Sequence, residues 1–176
     1  MPGYLIHTAI ANEYIIKNNI ENGNDIIRGT LAPDEVDDKS LTHYGELSSR
    51  PDLKKYLSEN QIQTDYDKGY FLHLIADYLF YNYYFVISKD FMFYREYDMT
   101  NKELIAKYHV QLPEKFQKYM NCINDEKPKV LKIDKLEKMI DEISNINLLD
   151  AEKSIKENNY ILVNDKRVEI NAFKRI

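Results

Sequence analysis

The fold is decided by residues 69–84, GYFLHLIADYLFYNYY, a stretch that is apolar on nearly every side of a helix. A helix that is apolar all round is buried, so we expect a central helix over residues 64–87. The stretch also carries His73 and Asp77 near its middle. Burying a carboxylate is costly unless it is paired or coordinates a metal. The sequence therefore raises the question of which groups surround Asp77.

Length and composition indicate one soluble globular domain. The chain has 176 residues, enough for a single substantial core over 1–176. We expect residues 1–124 to form a metal-binding helical core and residues 125–176 to add helices and a hairpin. The formal net charge of -5 argues against stable nucleic-acid binding. With Cys122 as the one cysteine, a metal site would need His, Asp and Glu ligands.

No stretch approaches the ~20 apolar residues that a transmembrane helix needs, so we expect no transmembrane segment. The first residues, MPGYLIHTAIANEY, lack the basic leader, long apolar stretch and cleavage site of a signal peptide. We interpret the chain as a cytoplasmic protein. Its oligomeric state does not follow from the sequence.

Apolar periodicity predicts an all-α multi-helix bundle with a small C-terminal β-hairpin. Thr100 and Glu103 are spaced as a capping box, and Pro51 suits a first helical turn. Residues 159–173, NYILVNDKRVEINAF, are rich in strand formers on both sides of Asn164-Asp165, which predicts the hairpin. The other predicted helices cover residues 4–21, 25–29, 113–123, 133–143 and 148–157.

The most irregular segment is residues 29–45, GTLAPDEVDDKSLTHYG, a connection long enough to suggest a function. It contains Asp34 and His43. On the central helix, His73 and Asp77 lie four residues apart and so share a face. Four tyrosines fall near the same stripe, namely Tyr66, Tyr70, Tyr81 and Tyr84.

Together, Asp34, His43, His73 and Asp77 supply two imidazoles and two carboxylates, whose charges would balance a divalent cation. Such a set suits zinc, with manganese, iron or nickel as alternatives. His7 is early enough in the first helix to reach the same cavity. The simpler interpretations stay open: a buried His73–Asp77 ion pair, Asp34 capping a turn, and His43 exposed in a loop.

The series MPGYLIHT, GTLAPDEV, THYG and GYFLHLIADYLFY resembles the zinc-dependent phospholipase C and S1/P1 nuclease superfamily, in particular its small intracellular phospholipase-like branch. The similarity covers roughly the first half of the chain. It implies an all-α enzyme that hydrolyses phosphodiester or phosphomonoester bonds with up to three zinc ions. The chain departs from the family pattern at several places: Tyr83 stands where a further histidine ligand is expected, the downstream His/Glu or His/Asp pair is missing, and the family's tryptophan ligand is absent.

Carried over residue by residue, the resemblance implies that Asp34, His43, His73 and Asp77 are the ligands of one complete metal position. Asp34 would also act as general base, and Asp77 would bridge towards a second, incomplete position held by His7. We therefore expect one to two ions.

The sequence thus predicts a metal-dependent hydrolase acting on a small phosphoester or a phospholipid-like substrate. The alternative is a catalytically reduced helical protein with a single structural or regulatory metal site. An HD-type phosphohydrolase ranks lower, because the chain has no adjacent His-Asp pair. Lys39 and Arg50 are the nearest basic residues that could contact a phosphate, although a solvated surface charge is the favoured interpretation of each.

Overall fold

The computed structural model describes residues 3–86 and 93–170, and these are mostly helical with one small antiparallel hairpin. The predicted all-α class with a C-terminal hairpin is confirmed. Within the described ranges, no helix has the length and apolar character to cross a membrane. The helices are α1 (Tyr4–Lys17), α2 (Asn24–Leu31), α3 (Ser40–His43), α4 (Leu53–Glu59), α5 (Asp65–Leu79), α6 (Tyr94–Tyr108), α7 (Gln117–Met120), α8 (Ile133–Ser144) and α9 (Leu148–Asn158).

The predicted central helix is α5, and every side chain in residues 71–79 is buried. It begins with a capping box in which the Thr64 hydroxyl accepts from the Asp67 N–H while the Asp67 carboxylate accepts from the Thr64 N–H. The α-helical part ends at Leu79 and continues as a π-helical segment, Phe80–Tyr84. The predicted last residue of this helix, residue 87, lies outside the described ranges.

Three boundary predictions are wrong for local reasons. The first helix ends at Lys17 rather than residue 21, because Asn19 adopts a left-handed φ of 52°. Thr100 lies inside α6, where its hydroxyl donates to the Tyr97 carbonyl at 2.9 Å, so the predicted capping box with Glu103 does not form. The helix predicted over 113–123 is a 3-10 turn, Glu114–Phe116, followed by the short α7.

The predicted irregular connection, residues 29–45, is more ordered than expected. It contains the end of α2, a 3-10 turn at Ala32–Asp34 and the short helix α3. After it, α4 begins at Leu53 with Asp52 as its N-cap, so Pro51 precedes the helix rather than occupying its first turn.

Two glycines let α2 and α5 cross at very short range. A methyl group on Gly29 would overlap the carbonyl oxygen of Tyr66, and one on Gly69 would overlap the carbonyl oxygen of Ile26. The Thr30 hydroxyl donates to the Gly69 carbonyl at 3.2 Å across the same crossing. Backbone therefore packs directly on backbone where these two helices meet.

The C-terminal hairpin pairs β1 (Tyr160–Val163) with β2 (Lys166–Glu169) in antiparallel register. Asn164 and Asp165 both have positive φ, 47° and 63°, as a two-residue type I′ turn requires. The Tyr78 hydroxyl donates to the Glu169 carbonyl at 3.0 Å and thereby attaches the hairpin to α5. The predicted hairpin is confirmed, although residues 171–176 lie outside the described ranges.

A buried carboxylate connects α6 to the segment before α8. Glu96 accepts hydrogen bonds from the backbone N–H groups of Lys129, Val130 and Leu131 at 3.0, 2.9 and 2.8 Å. Burial opposes ionisation of this carboxyl, but these three hydrogen bonds outweigh that effect and lower the pKa of Glu96.

We predict that Gly69→Ala lowers the free energy of unfolding by about 2 kcal/mol or more, because the added methyl forces two backbones apart. Alanine should also gain about 1 kcal/mol in helix propensity over glycine, so the destabilisation caused by the overlap must be larger than this gain. Urea denaturation of the variant measures the difference. Gly3→Ala is the control, since its methyl would make only ordinary contact with Tyr97. A Gly69→Ala variant as stable as the wild type would contradict the close crossing.

A second prediction concerns pH. Because folding lowers the pKa of Glu96, its contribution to stability is present above about 4.5, the ordinary value, and is lost as the pH falls through the lowered value. Between pH 6 and 3, the free energy of unfolding should therefore fall less steeply in Glu96→Gln than in the wild type. Glu103→Gln, on the exposed side of α6, should keep the wild-type slope.

Candidate metal centre

Four separate segments bring the five predicted site residues together. The middle of α5 carries His73 and Asp77, the first turn of α1 carries His7, the 3-10 turn ends at Asp34, and α3 ends at His43. None of the five is more than 4% exposed, and His43, His73 and Asp77 have no exposed surface. The interpretation of His43 as an exposed loop residue is therefore wrong. The remaining histidine, His109, is exposed at the end of α6.

Ligand atoms of Asp34 and Asp77 both lie within 3.8 Å of the Nε2 atoms of His43 and His73. His43 Nε2 lies 2.9 Å from Asp77 Oδ2 and 3.2 Å from His73 Nε2. His73 Nε2 lies 3.4 Å from Asp77 Oδ2. Asp34 Oδ1 is 3.7 and 3.8 Å from the two histidine nitrogens. A tetrahedral ion with bonds of about 2.0–2.1 Å separates its ligand atoms by roughly 3.3–3.4 Å. The buried His and Asp groups can hold a metal ion.

Backbone carbonyls orient both of these imidazoles. His73 Nδ1 lies 2.7 Å from the Thr30 carbonyl oxygen, and His43 Nδ1 lies 3.0 Å from the Lys39 carbonyl oxygen. A carbonyl can only accept, so each Nδ1 carries the hydrogen and, in the neutral rings, each Nε2 keeps a lone pair. Those two lone pairs face each other across 3.2 Å beside two carboxylates. A cation or a shared proton is needed between them, and this outer-shell arrangement is the one seen around metal-bound histidines.

His7 extends the cluster on the other side of Asp77. Its ring stacks on His73, with centroids 3.8 Å apart and planes 12° apart. His7 Nε2 lies 3.1 Å from Asp77 Oδ1, but the two are not aligned as a hydrogen bond. Within the described ranges, both His7 ring nitrogens, Asp77 Oδ1 and Asp34 Oδ2 are buried without a hydrogen-bond partner. Unsatisfied buried polar atoms are rare, and these four belong to three residues of the same cluster.

The protonation states follow from burial and from the two carboxylates. Burial lowers the pKa of His7 to about 4, and the neighbouring charge on His73 acts in the same direction. Burial also opposes charge on His73, yet Asp77 and Asp34 outweigh it and raise the pKa of that imidazole. Burial alone would raise the pKa of Asp77, but the positive charge on His73 opposes that effect, and the pKa of Asp77 lies well below its ordinary value.

Two residues at the edge of the cluster were not predicted as part of it. Lys39 Nζ lies 2.9 Å from Asp34 Oδ1, and its side chain is 25% exposed, so its interpretation as a solvated surface charge is wrong. Tyr97 on α6 is close enough that Asp77 and Asp34, added to burial, raise the pKa of its hydroxyl well above the ordinary value. The sequence feature that could have placed Lys39 at the cluster is its position four residues before His43. For Tyr97, one of fifteen tyrosines, the sequence holds none.

Comparison with protein-family models, curated proteins and solved structures finds no match for this chain.

We predict that the protein binds one to two zinc ions per chain and that His73→Ala abolishes this binding, because His73 belongs to both candidate ligand groups. Elemental analysis and isothermal titration with zinc measure the effect. At a free zinc concentration 100 times Kd, binding should add about 2.7 kcal/mol to the free energy of unfolding. His109→Asn removes a histidine outside the cluster and should bind zinc as the wild type does. Equal zinc binding by His73→Ala would contradict the assignment.

Proposed function

We propose that this protein is a metal-dependent hydrolase of phosphoester bonds, with Asp34, His43, His73 and Asp77 holding a zinc ion. The observation that carries the proposal is that both carboxylates lie beside the same two histidine nitrogens, with five distances of 2.9 to 3.8 Å between ligand atoms of these residues. Manganese, iron or nickel would also accept two imidazoles and two carboxylates. A second ion would have His7 and Asp77 as ligands.

The chemistry of the ligand set supports hydrolysis. A divalent ion held by these residues would lower the pKa of water and polarise a phosphoryl oxygen. Asp34 accepts a proton from the attacking water through Oδ2, the oxygen without a hydrogen-bond partner in the described part of the chain. The water oxygen forms a bond to phosphorus as the bond to the leaving oxygen breaks, and the leaving oxygen takes up a proton.

The resemblance to the zinc-dependent phospholipase C and S1/P1 nuclease superfamily supports the same proposal. The residues that carry the resemblance, in the order His7, Asp34, His43, His73 and Asp77, are those of the two buried ligand groups that share His73. The proposed substrates are accordingly small phosphomonoesters, phosphodiesters or phospholipid-like molecules.

A second candidate function is a structural or regulatory metal site without catalysis. The observation that favours it is the complete burial of His43, His73 and Asp77, which restricts access for a substrate. Structural zinc sites are closed by four protein ligands, whereas catalytic sites keep a position open for water. The two candidates differ in whether Asp34 stays bound to the ion or gives up its place to water.

The deciding experiment screens phosphomonoesters and phosphodiesters for hydrolysis by the purified protein, with and without added zinc or manganese. We expect activity that requires metal and is lost in His73→Ala. In Asp34→Asn, kcat should fall by about 10²- to 10⁴-fold, because the proton acceptor is removed. His109→Asn is the control and should retain activity.

The outcomes separate the candidates. One metal ion per chain with no turnover of any substrate would favour the structural or regulatory site. A wild-type protein that binds none of the four metals would contradict both, and the cluster would then be a buried ion-pair network.

A further inference from the structure

A lysine lies directly beside the candidate metal ligands, and its position connects them to solvent. Lys39 Nζ is 2.9 Å from Asp34 Oδ1, the oxygen that faces both histidine nitrogens. Asp34 itself has no exposed side-chain surface, whereas 25% of the Lys39 side chain is exposed. The ammonium therefore lies where the buried cluster meets water.

The backbone of Lys39 belongs to the same arrangement. Its carbonyl accepts from His43 Nδ1 at 3.0 Å, while its side chain contacts Asp34. One residue thus contacts two of the proposed ligands, through different groups. The backbone of Lys39 is consequently anchored beside the candidate ligands, and its ammonium can reach the edge of the site.

A divalent ion would change the electrostatics beside Lys39. The carboxylates of Asp34 and Asp77 contribute two negative charges, which the ion would neutralise. The ammonium of Lys39, 2.9 Å from Asp34 Oδ1, adds a positive charge at the edge of this site. A positive charge in a partly desolvated position attracts an anion strongly, since the local dielectric is lower than that of water.

We propose that Lys39 is a substrate-positioning residue that binds an anionic phosphoryl oxygen beside the metal. The proposal rests on the proposed function and adds a selectivity to it: ligands with a phosphoryl charge are preferred over neutral esters. The ammonium pairs with Asp34 in the metal-free protein and with the phosphoryl oxygen when metal and ligand are bound. Lysine suits this role as a compact point charge on a flexible stem.

The ammonium pairs with Asp34 and is proposed to bind phosphate, so its removal should change the affinities for zinc and for phosphate in opposite directions. In Lys39→Gln, zinc should bind about tenfold or more tightly, because a positive charge next to Asp34 is removed. Inorganic phosphate should bind the zinc-loaded variant about tenfold or more weakly, because a charge-assisted hydrogen bond is lost. Isothermal titration measures both affinities, zinc first and phosphate second, without any activity assay.

The matched control is Lys17→Gln. Lys17 is 23% exposed and pairs with Asp141 at 2.7 Å, so it resembles Lys39 in burial and pairing but lies away from the cluster. Both affinities should stay at wild-type values in this variant. Lys39→Arg keeps the charge and should retain phosphate binding. Lys39→Met, which keeps an unbranched stem without the charge, replaces Lys39→Gln if the latter does not fold.

Each outcome decides the proposal. Tighter zinc with weaker phosphate in the Lys39 variant supports it. Tighter zinc with unchanged phosphate, or weaker binding of both, overturns it while leaving the metal site in place. If the wild type binds no zinc, the proposed function fails first and this proposal fails with it. Dimethyl phosphate, a diester like a lipid headgroup, serves as a second probe: preference for it over inorganic phosphate would indicate a lipid-like source of the phosphoryl group.

Discussion

The close crossing of α2 and α5 is the constraint on which the rest of the molecule depends. Gly29 and Gly69 let the two backbones touch, and this contact sets the position of Thr30 beside α5. The Thr30 carbonyl then orients His73, and the chain that leaves α2 turns at once to present Asp34. A wider crossing would move the carbonyl and the carboxylate away from α5 together. The packing of two helices therefore fixes the geometry of the buried charges.

Those charges explain why so apolar a helix carries an acid. Asp77 lies within 3.4 Å of a nitrogen from each of three histidines, and those nitrogens come from three different helices. A carboxylate in this position is costly unless it is paired or coordinated. The cluster therefore stabilises the packing of α1, α3 and α5 only when a positive charge is present at its centre. The stability of the fold around Asp77 and the binding of a cation there thus depend on the same need for a positive charge.

Much of this arrangement follows from the sequence, because its signals are local. The apolar stretch around His73 predicts a buried central helix, and Asn164-Asp165 predicts the turn that the hairpin adopts. The identities of the clustered residues were also predictable, since His and Asp are uncommon inside apolar segments. Their distances were not, because Asp34 and His43 reach α5 through a connection whose path depends on the crossing with α2. The pairing of Lys39 with Asp34 could not be predicted for the same reason, because it also depends on the path of that connection.

The π-helical segment Phe80–Tyr84 continues directly from the α-helical part, Asp65–Leu79. Continued α-helical geometry would keep Tyr84 on the stripe of His73 and Asp77, as the sequence pattern suggests. The wider turns instead rotate the chain after Leu79, and the Tyr84 hydroxyl donates to Glu142 on α8 at 2.6 Å. Residues beyond position 80 can therefore vary to suit their neighbours without turning the imidazole and carboxylate upstream. The π-helical turns thus let the orientation of the aromatic residues 80–84 differ from the one that an unbroken α-helix would give them.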